Sequence, residues 1–369
     1  MPRRPLQPLA ALLASLFLIA LAGCGGYGTS TPSTPPPPSP RFAYVANALA
    51  NSVSAFSIDS STGQLQSSGT VSAGNAPVSA AVDPSGHFVY VANFVSSDVS
   101  VFSINPSTGA LAAVGVPVAV GINPRGIAID PGGKFVYVAN ESTNNVSMFA
   151  IDRTTGTLTS LGSPVSAGTT PVSITVHPSG RFAYTTNGDS GDISVFSLDA
   201  NSGALAPVGA PVSAGGFPVS LTIHPSSHFA YVANFALNNV SVFAIDATTG
   251  ALTSVGSPVA SAGSPLSITV DASGHFAYVA NIGANHVSVF TIDTNSGLLT
   301  EQGAPVPTGT NPNSVTLDPS GHFAYVANTG SDNISVFSID ATSGALTSLG
   351  PPIAAGDEPS ALVITGRIQ

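Results

Sequence analysis

The chain has 369 residues, 43% of them hydrophobic and only 7% charged, with a formal net charge of −10. Its polar remainder of Ser, Thr, Asn and Gly suits short strands and many turns and argues against a helical protein. The acidic balance excludes a nucleic-acid binder, whose phosphates require basic stripes, and a single Cys excludes an intrachain disulfide.

The first element is a targeting segment, residues 1–23. Arg3 and Arg4 form a short positive region, and an apolar stretch runs from Leu9 to Ala22, too short to span a bilayer comfortably. It ends in Leu21-Ala22-Gly23-Cys24, which resembles the bacterial lipobox. The resemblance implies that Cys24 becomes the first mature residue and carries the lipid that holds the protein on a membrane of the cell envelope. The sequence leaves open whether the domain faces the periplasm or the cell surface. Residues 24–40 then read as a stalk. They are rich in Gly, Ser, Thr and Pro, with four consecutive prolines from Pro35 to Pro38, and such a tract prefers extended polyproline II.

From Arg41 to Gln369 the chain repeats itself. The unit Phe-Ala-Tyr-Val-Ala-Asn ends at Asn47 and recurs, with variation, at Asn93, Asn140, Asn187, Asn234, Asn281 and Asn328. Periods of this length mean a solenoid or a propeller with four strands per blade. In one unit, strand A runs from Pro171 to His177, strand B from Phe182 to Asn187, strand C from Ile193 to Leu198 and strand D from Ala204 to Val212. Each is bounded by turn residues. The first copy begins at strand B, and the last is followed by an unpaired strand A from Pro359 to Thr365. That last strand supplies what the first copy lacks, so the expected fold is all-β: one closed seven-bladed propeller of four antiparallel strands per blade.

The Tyr-Val-Ala-Asn and Tyr184-Thr-Thr-Asn187 units, with Val-Ser-Val-Phe and Thr-Gly-Ala-Leu, resemble the YVTN-type repeats of seven-bladed lactonase-like propellers. That grouping includes 6-phosphogluconolactonases. The resemblance covers residues 41 to 369 and rests on scaffold positions, so it specifies the fold more strongly than the activity.

Residues that recur in every copy can be subtracted as scaffold. Seven Tyr at the strand-B position and fourteen Phe in strands B and C are expected to pack blade on blade. His87, His228, His275 and His322 fill a turn that elsewhere carries Arg or Lys. His177 and His224 stand where other copies have Asp. The Asp of each Asp-x-x-Ser/Thr-Gly turn stands alone, which suits a hairpin better than a calcium loop. No zinc spacing, phosphate loop or Gly-x-Ser-x-Gly elbow is present, so no metal or cofactor is expected.

The remaining variation falls at one end of the ring, in the D–A and B–C connections: Phe94, Asn123, Arg125, Glu141, Asp189, Phe217, Phe235, Leu237, His286, Asp357 and Glu358. The residues favour a binding scaffold for a protein or glycan, with Phe94, Phe217, Phe235, Leu237 and Arg125 as anchors. The alternative, implied by the family resemblance, is hydrolysis of a sugar lactone. Arg125, Glu141 and His286 are then the available electrophile and base. A phosphorylated substrate fits poorly, because only Arg125 among the cations maps to this end, against seven carboxylates.

Overall fold

A computed structural model describes residues 41–366. The signal segment, Cys24 and the stalk lie outside the described residues. Seven antiparallel sheets follow one another along the chain. Blade one is built from Pro359–Ile364 as strand A, Arg41–Asn47 as B, Ser52–Ile58 as C and Leu65–Ser72 as D. Blades two to seven open with strands A at Pro77–Val82, Pro124–Ile129, Pro171–Val176, Pro218–Ile223, Pro265–Val270 and Pro312–Leu317.

Closure follows from the innermost strands. Strand A pairs only with strand B of its own sheet, leaving its other edge toward the axis. Each strand A also contacts the strand A of the next blade, and the series returns from Pro359–Ile364 to Pro77–Val82. The ring is therefore a closed propeller, as the unpaired last strand requires. At the seam, Arg41 of blade one forms an ion pair with Asp318 of blade seven.

The recurring aromatics hold neighbouring blades together. In six blades the strand-B Tyr donates its hydroxyl to the carbonyl of a Gly in the C–D turn of the next blade. The pairs run from Tyr44 to Gly109 at 3.0 Å through to Tyr325 and Gly63 at 2.8 Å, which crosses the seam. Tyr231 is the exception; its hydroxyl is buried without a partner. The same turn Gly lies under the strand-B Phe of the preceding blade, as Gly109 lies under Phe42, so any Cβ there would collide with the ring. A left-handed φ of +72° at Gly109 adds a second reason for glycine.

The C–D turns are capped by a single side chain. Asp59, Asp152, Asp199, Asp246, Asp293 and Asp340 each accept backbone N–H bonds from the second and third residues on, and these bonds, led at Asp59 by the Ser61 hydroxyl, hold every one of the six carboxyls below the ordinary value of 3.8. Blade two uses Asn105 in the same way without charge. Because the folded-state values are depressed, this contribution is complete above the unfolded carboxylate range and is lost as pH falls through the folded values. We expect a variant with all six Asp changed to Asn to lose part of the fall in melting temperature between about pH 5 and pH 2. Superimposable pH profiles for the two proteins would disprove the assignment.

Strand D departs from expectation. In six blades it is split, as in Leu205–Pro207 and Val212–Ser213 of blade four, instead of running from Ala204 to Val212. The Gly-x-Pro insert (Gly209-Ala-Pro211) removes a ladder donor and kinks the edge. Blade one lacks the Pro and is one residue shorter, and its strand D is continuous.

Candidate functional site at the loop face

The end of the ring formed by the D–A and B–C loops is built from seven near-identical backbone clamps. The residue before each strand-A proline has a left-handed backbone: Ala76, Asn123, Thr170, Phe217, Ser264, Asn311 and Glu358, with φ between 51° and 59°. Its carbonyl accepts the N–H of the residue after each strand-B Asn, as in Phe94 to Ala76 at 2.8 Å and Glu141 to Asn123 at 2.9 Å. Its own N–H is capped, in six of the seven, by a side chain from the preceding blade: Asn51, Ser97, Asn144, Asn238, Asn285 or Asp332. A non-glycine left-handed residue before proline is disfavoured, and such positions persist only where surrounding bonds over-determine them.

A second ring lies just inside the first. In every blade the residue after the strand-A proline is an extra residue in a β-bulge: Val78, Arg125, Val172, Val219, Leu266, Asn313 and Ser360. A bulge re-aims its side chain and breaks the alternation of the strand. Subtraction of repeated residues singled out only Arg125 from this ring. The usable signal is the variable second position of a strand-A start that reads Pro-x-Ser in five of the seven blades.

Arg125, Glu141 and Phe94 come together at the loop end of the innermost strand, at the mouth of the ring. The Arg125 guanidinium donates to the Glu141 carboxylate at 2.9 Å, and its centre lies 5.9 Å from the Phe94 ring. The Arg125 side chain is 42% exposed and that of Glu141 22%, so both can reach solvent while remaining paired. Asn123 braces the arrangement by donating to the Phe94 carbonyl and accepting from Ser142. Next to Arg125, Gly126 lies tight against blade four, where a Cβ would sit 2.8 Å from the Ser173 Cα. The blades approach closely there.

His286 does not join this cluster. It opens strand C of blade six, third from the axis, and its Nδ1 lies 3.1 Å from the Ala284 carbonyl. Other blades carry Asn, Asp or Ser at this position, and each accepts a bond from the strand-B Asn amide, as Asp98 does from Asn93. In blade six that amide keeps its usual bond to the strand-C Ser, here Ser288, but turns to the Val279 carbonyl for the other, and its oxygen accepts from Ser261. His286 is thus a local substitution in the scaffold, which corrects its placement with Arg125 and Glu141.

The aromatic anchors also separate. Phe235 is 36% exposed and Leu237 56%, whereas Phe94 and Phe217 are half-buried. The Phe217 ring stands edge-on to Phe235 at 6.2 Å and packs against the core of blades five and six. It also covers Gly188, where a Cβ would come within 2.9 Å of the ring. Blade four carries Gly191 where other blades carry the capping side chain, and a Cβ there would lie 2.8 Å from the Gly215 carbonyl oxygen. The reading of three exposed aromatics therefore reduces to Phe235, with Phe217 as its support.

Seven carboxylates map to this face: Asp98, Glu141, Asp189, Asp192, Asp332, Asp357 and Glu358. Most are tied into the loops, Asp98 and Asp192 by Asn amides, Asp189 by Thr170 and Asp332 by the Glu358 N–H. Among the described residues no three His, Cys, Asp or Glu side chains gather in a way that would hold a metal.

The geometry has parallels among solved structures. A candidate 6-phosphogluconolactonase from Bacteroides uniformis is 20% identical, with a TM-score of 0.80 over 88% of this chain and 99% of its own. A second, from Bacteroides fragilis, is 22% identical, with a TM-score of 0.79 over 90% and 99%. A periplasmic gluconolactonase from Pseudomonas aeruginosa is 20% identical, with a TM-score of 0.75 over 90% and 100%. At these identities the likeness concerns the fold. Among curated proteins the chain has no match. The family model described as "Lactonase, 7-bladed beta-propeller" matches residues 37–173, 167–269 and 262–364, and the chain accordingly belongs to the seven-bladed β-propeller lactonase family.

Proposed function

We propose that the protein hydrolyses an unphosphorylated sugar lactone outside the cytoplasm, at the mouth of the ring. The observation that carries this reading is the ion pair of Arg125 and Glu141 at the axial edge of a lactonase-family propeller. Glu141 acts as general base, taking a proton from the water that attacks the lactone carbonyl. Arg125 retains N–H donors beyond the one given to Glu141 and offers them to the carbonyl oxygen as it becomes an oxyanion. The carbonyl–ring oxygen bond then breaks, and the proton returns to the departing alkoxide. The sum is one water added and one hydroxy acid released.

Charge supports the unphosphorylated class, since a face with one Arg and seven carboxylates repels a phosphate. The lipobox-like segment ending at Cys24 supports an extracytoplasmic site, as does the likeness to the periplasmic gluconolactonase of Pseudomonas aeruginosa. The competing role, a scaffold that binds a protein or glycan, draws support from the Phe217–Phe235 pair and exposed Leu237.

The test is a panel of sugar and simple lactones against the wild type, Glu141→Gln and Cys24→Ser. Glu141→Gln is expected to lower kcat by about 10²–10⁴-fold. Cys24→Ser is expected to keep the activity but leave the detergent phase. A wild type without hydrolysis on any lactone, paired with retention of glycans through Phe235, would replace the hydrolase by the scaffold.

A further inference from the structure

The ring of bulge residues is apolar throughout blades four to six and mixed over the other blades, where Val78 of blade two stands between Ser360 and Arg125. Val172, Val219 and Leu266 of blades four to six pack into one cluster with Phe217. The polar positions are Arg125, Ser360 and Asn313. Ser360 is buried, and its hydroxyl is spent on the carbonyls of Ala46 and Pro77. Arg125 is committed to Glu141. Asn313, in blade seven, is half-buried, and among the described residues its carboxamide makes no hydrogen bond. Counting blades round the closed ring, it stands three from Arg125 by way of blade one, on the far side of the mouth.

Asn311 stands beside it in the same chain segment, exposed and likewise without a side-chain hydrogen bond among the described residues. Its Nδ2 lies where a Cβ on Gly330 would approach to 2.9 Å, so the B–C loop of blade seven is cut back to make room for the amide. The contrast with blade three is direct. Asn123 holds the same place as Asn311, but its amide is consumed by Phe94 and Ser142. A carboxamide both donates and accepts, which is what a row of sugar hydroxyls requires.

We propose that Asn313, with Asn311 beside it, binds the hydroxyl groups of the substrate and is the specificity-determining residue of the site. This rests on the sugar-lactone reading and deepens it: the reacting carbonyl lies toward Arg125 and Glu141, and the polyol side of the ring lies toward blade seven. A partner of this kind is neutral and hydroxyl-rich, consistent with a face that repels anions.

The experiment separates binding from hydrolysis. D-glucono-δ-lactam, a neutral isostere of the lactone, and δ-valerolactam, which lacks the hydroxyls, are titrated calorimetrically into the full-length protein. Asn313→Val carries the residue that blades two, four and five already have at this position, and Asn313→Leu carries that of blade six, so both side chains suit the scaffold. Wild type is expected to bind the gluconolactam, and either variant to bind it about 10–100-fold more weakly. The affinity for valerolactam should not change. Binding by the variants equal to wild type, or no gluconolactam binding by wild type, overturns the proposal. Wild type that binds gluconolactam through Asn313 but hydrolyses no lactone overturns the hydrolase reading and leaves the hydroxyl site standing.

Discussion

Removing residues 359–369 should abolish the cooperative melt of the domain. The deleted strand A is the only partner for the inner edge of Arg41–Asn47, pairing Ala43 with Ile364 through to Asn47 with Pro359. It buries Leu362, Val363 and Ile364, which are 2%, 6% and 0% exposed. At about 1.5–3 kcal/mol for each buried side chain, their loss alone approaches the whole net stability of a typical domain, about 5–15 kcal/mol. Polar damage adds to this. Thr316 loses the Leu362 carbonyl and the Phe42 N–H loses the Thr365 hydroxyl, while the strands A of blades two and seven each lose the strand A that stands between them. Circular dichroism melting and hydrogen exchange read the result. A truncated protein that melts like wild type would mean that ring closure contributes nothing to stability.

Phe243→Ala should cost about 3–5 kcal/mol, while Phe235→Ala stays within about ±0.5 kcal/mol. Phe243 is 1% exposed and lies in the interface of blades four and five, in one cluster with Tyr184, Ile193, Leu221 and Ala230. Removing its ring leaves a void that fixed strands on both sides are slow to fill. Phe235 projects from a B–C loop whose backbone is clamped by the Phe217 carbonyl, so its side chain contributes little to that loop's shape. Chemical denaturation of both variants separates the two kinds of aromatic. Equal losses would place Phe235 in the core.

The fold was legible because its signal is periodic. A spacing of 46 or 47 residues between strand-B Asn residues, together with an unpaired strand A, implies both the blade and the closure. What escaped reading is non-periodic or lies across blades. The split of strand D depends on Gly209-Ala-Pro211, a breaker inside a run that otherwise looks like a strand. Phe217 reads as a free loop aromatic until it is seen lying on Gly188, 29 residues earlier in the chain. His286 broke the pattern of its copies and so attracted a catalytic role. Its strand places it third from the axis, and the substitution is answered locally by Ser261 and the Asn281 amide. Arg125 and Glu141 were found because charge is rare on this chain. Asn313 was missed because an Asn among many Asn carries no compositional signal.

The Tyr-to-Gly latch has an architectural consequence. In an open array of repeats, the end units face water on one side and must be rewritten as polar caps. Here the last latch, from Tyr325 to Gly63, makes blade seven the neighbour of blade one, and no repeat occupies a terminal position. Each unit is capped by the next, so the turns that carry the latch can remain near-copies of one another. Diversity is then confined to the opposite rim, where fixed backbone clamps let one side chain be exchanged without disturbing the six latches that hold the hoop.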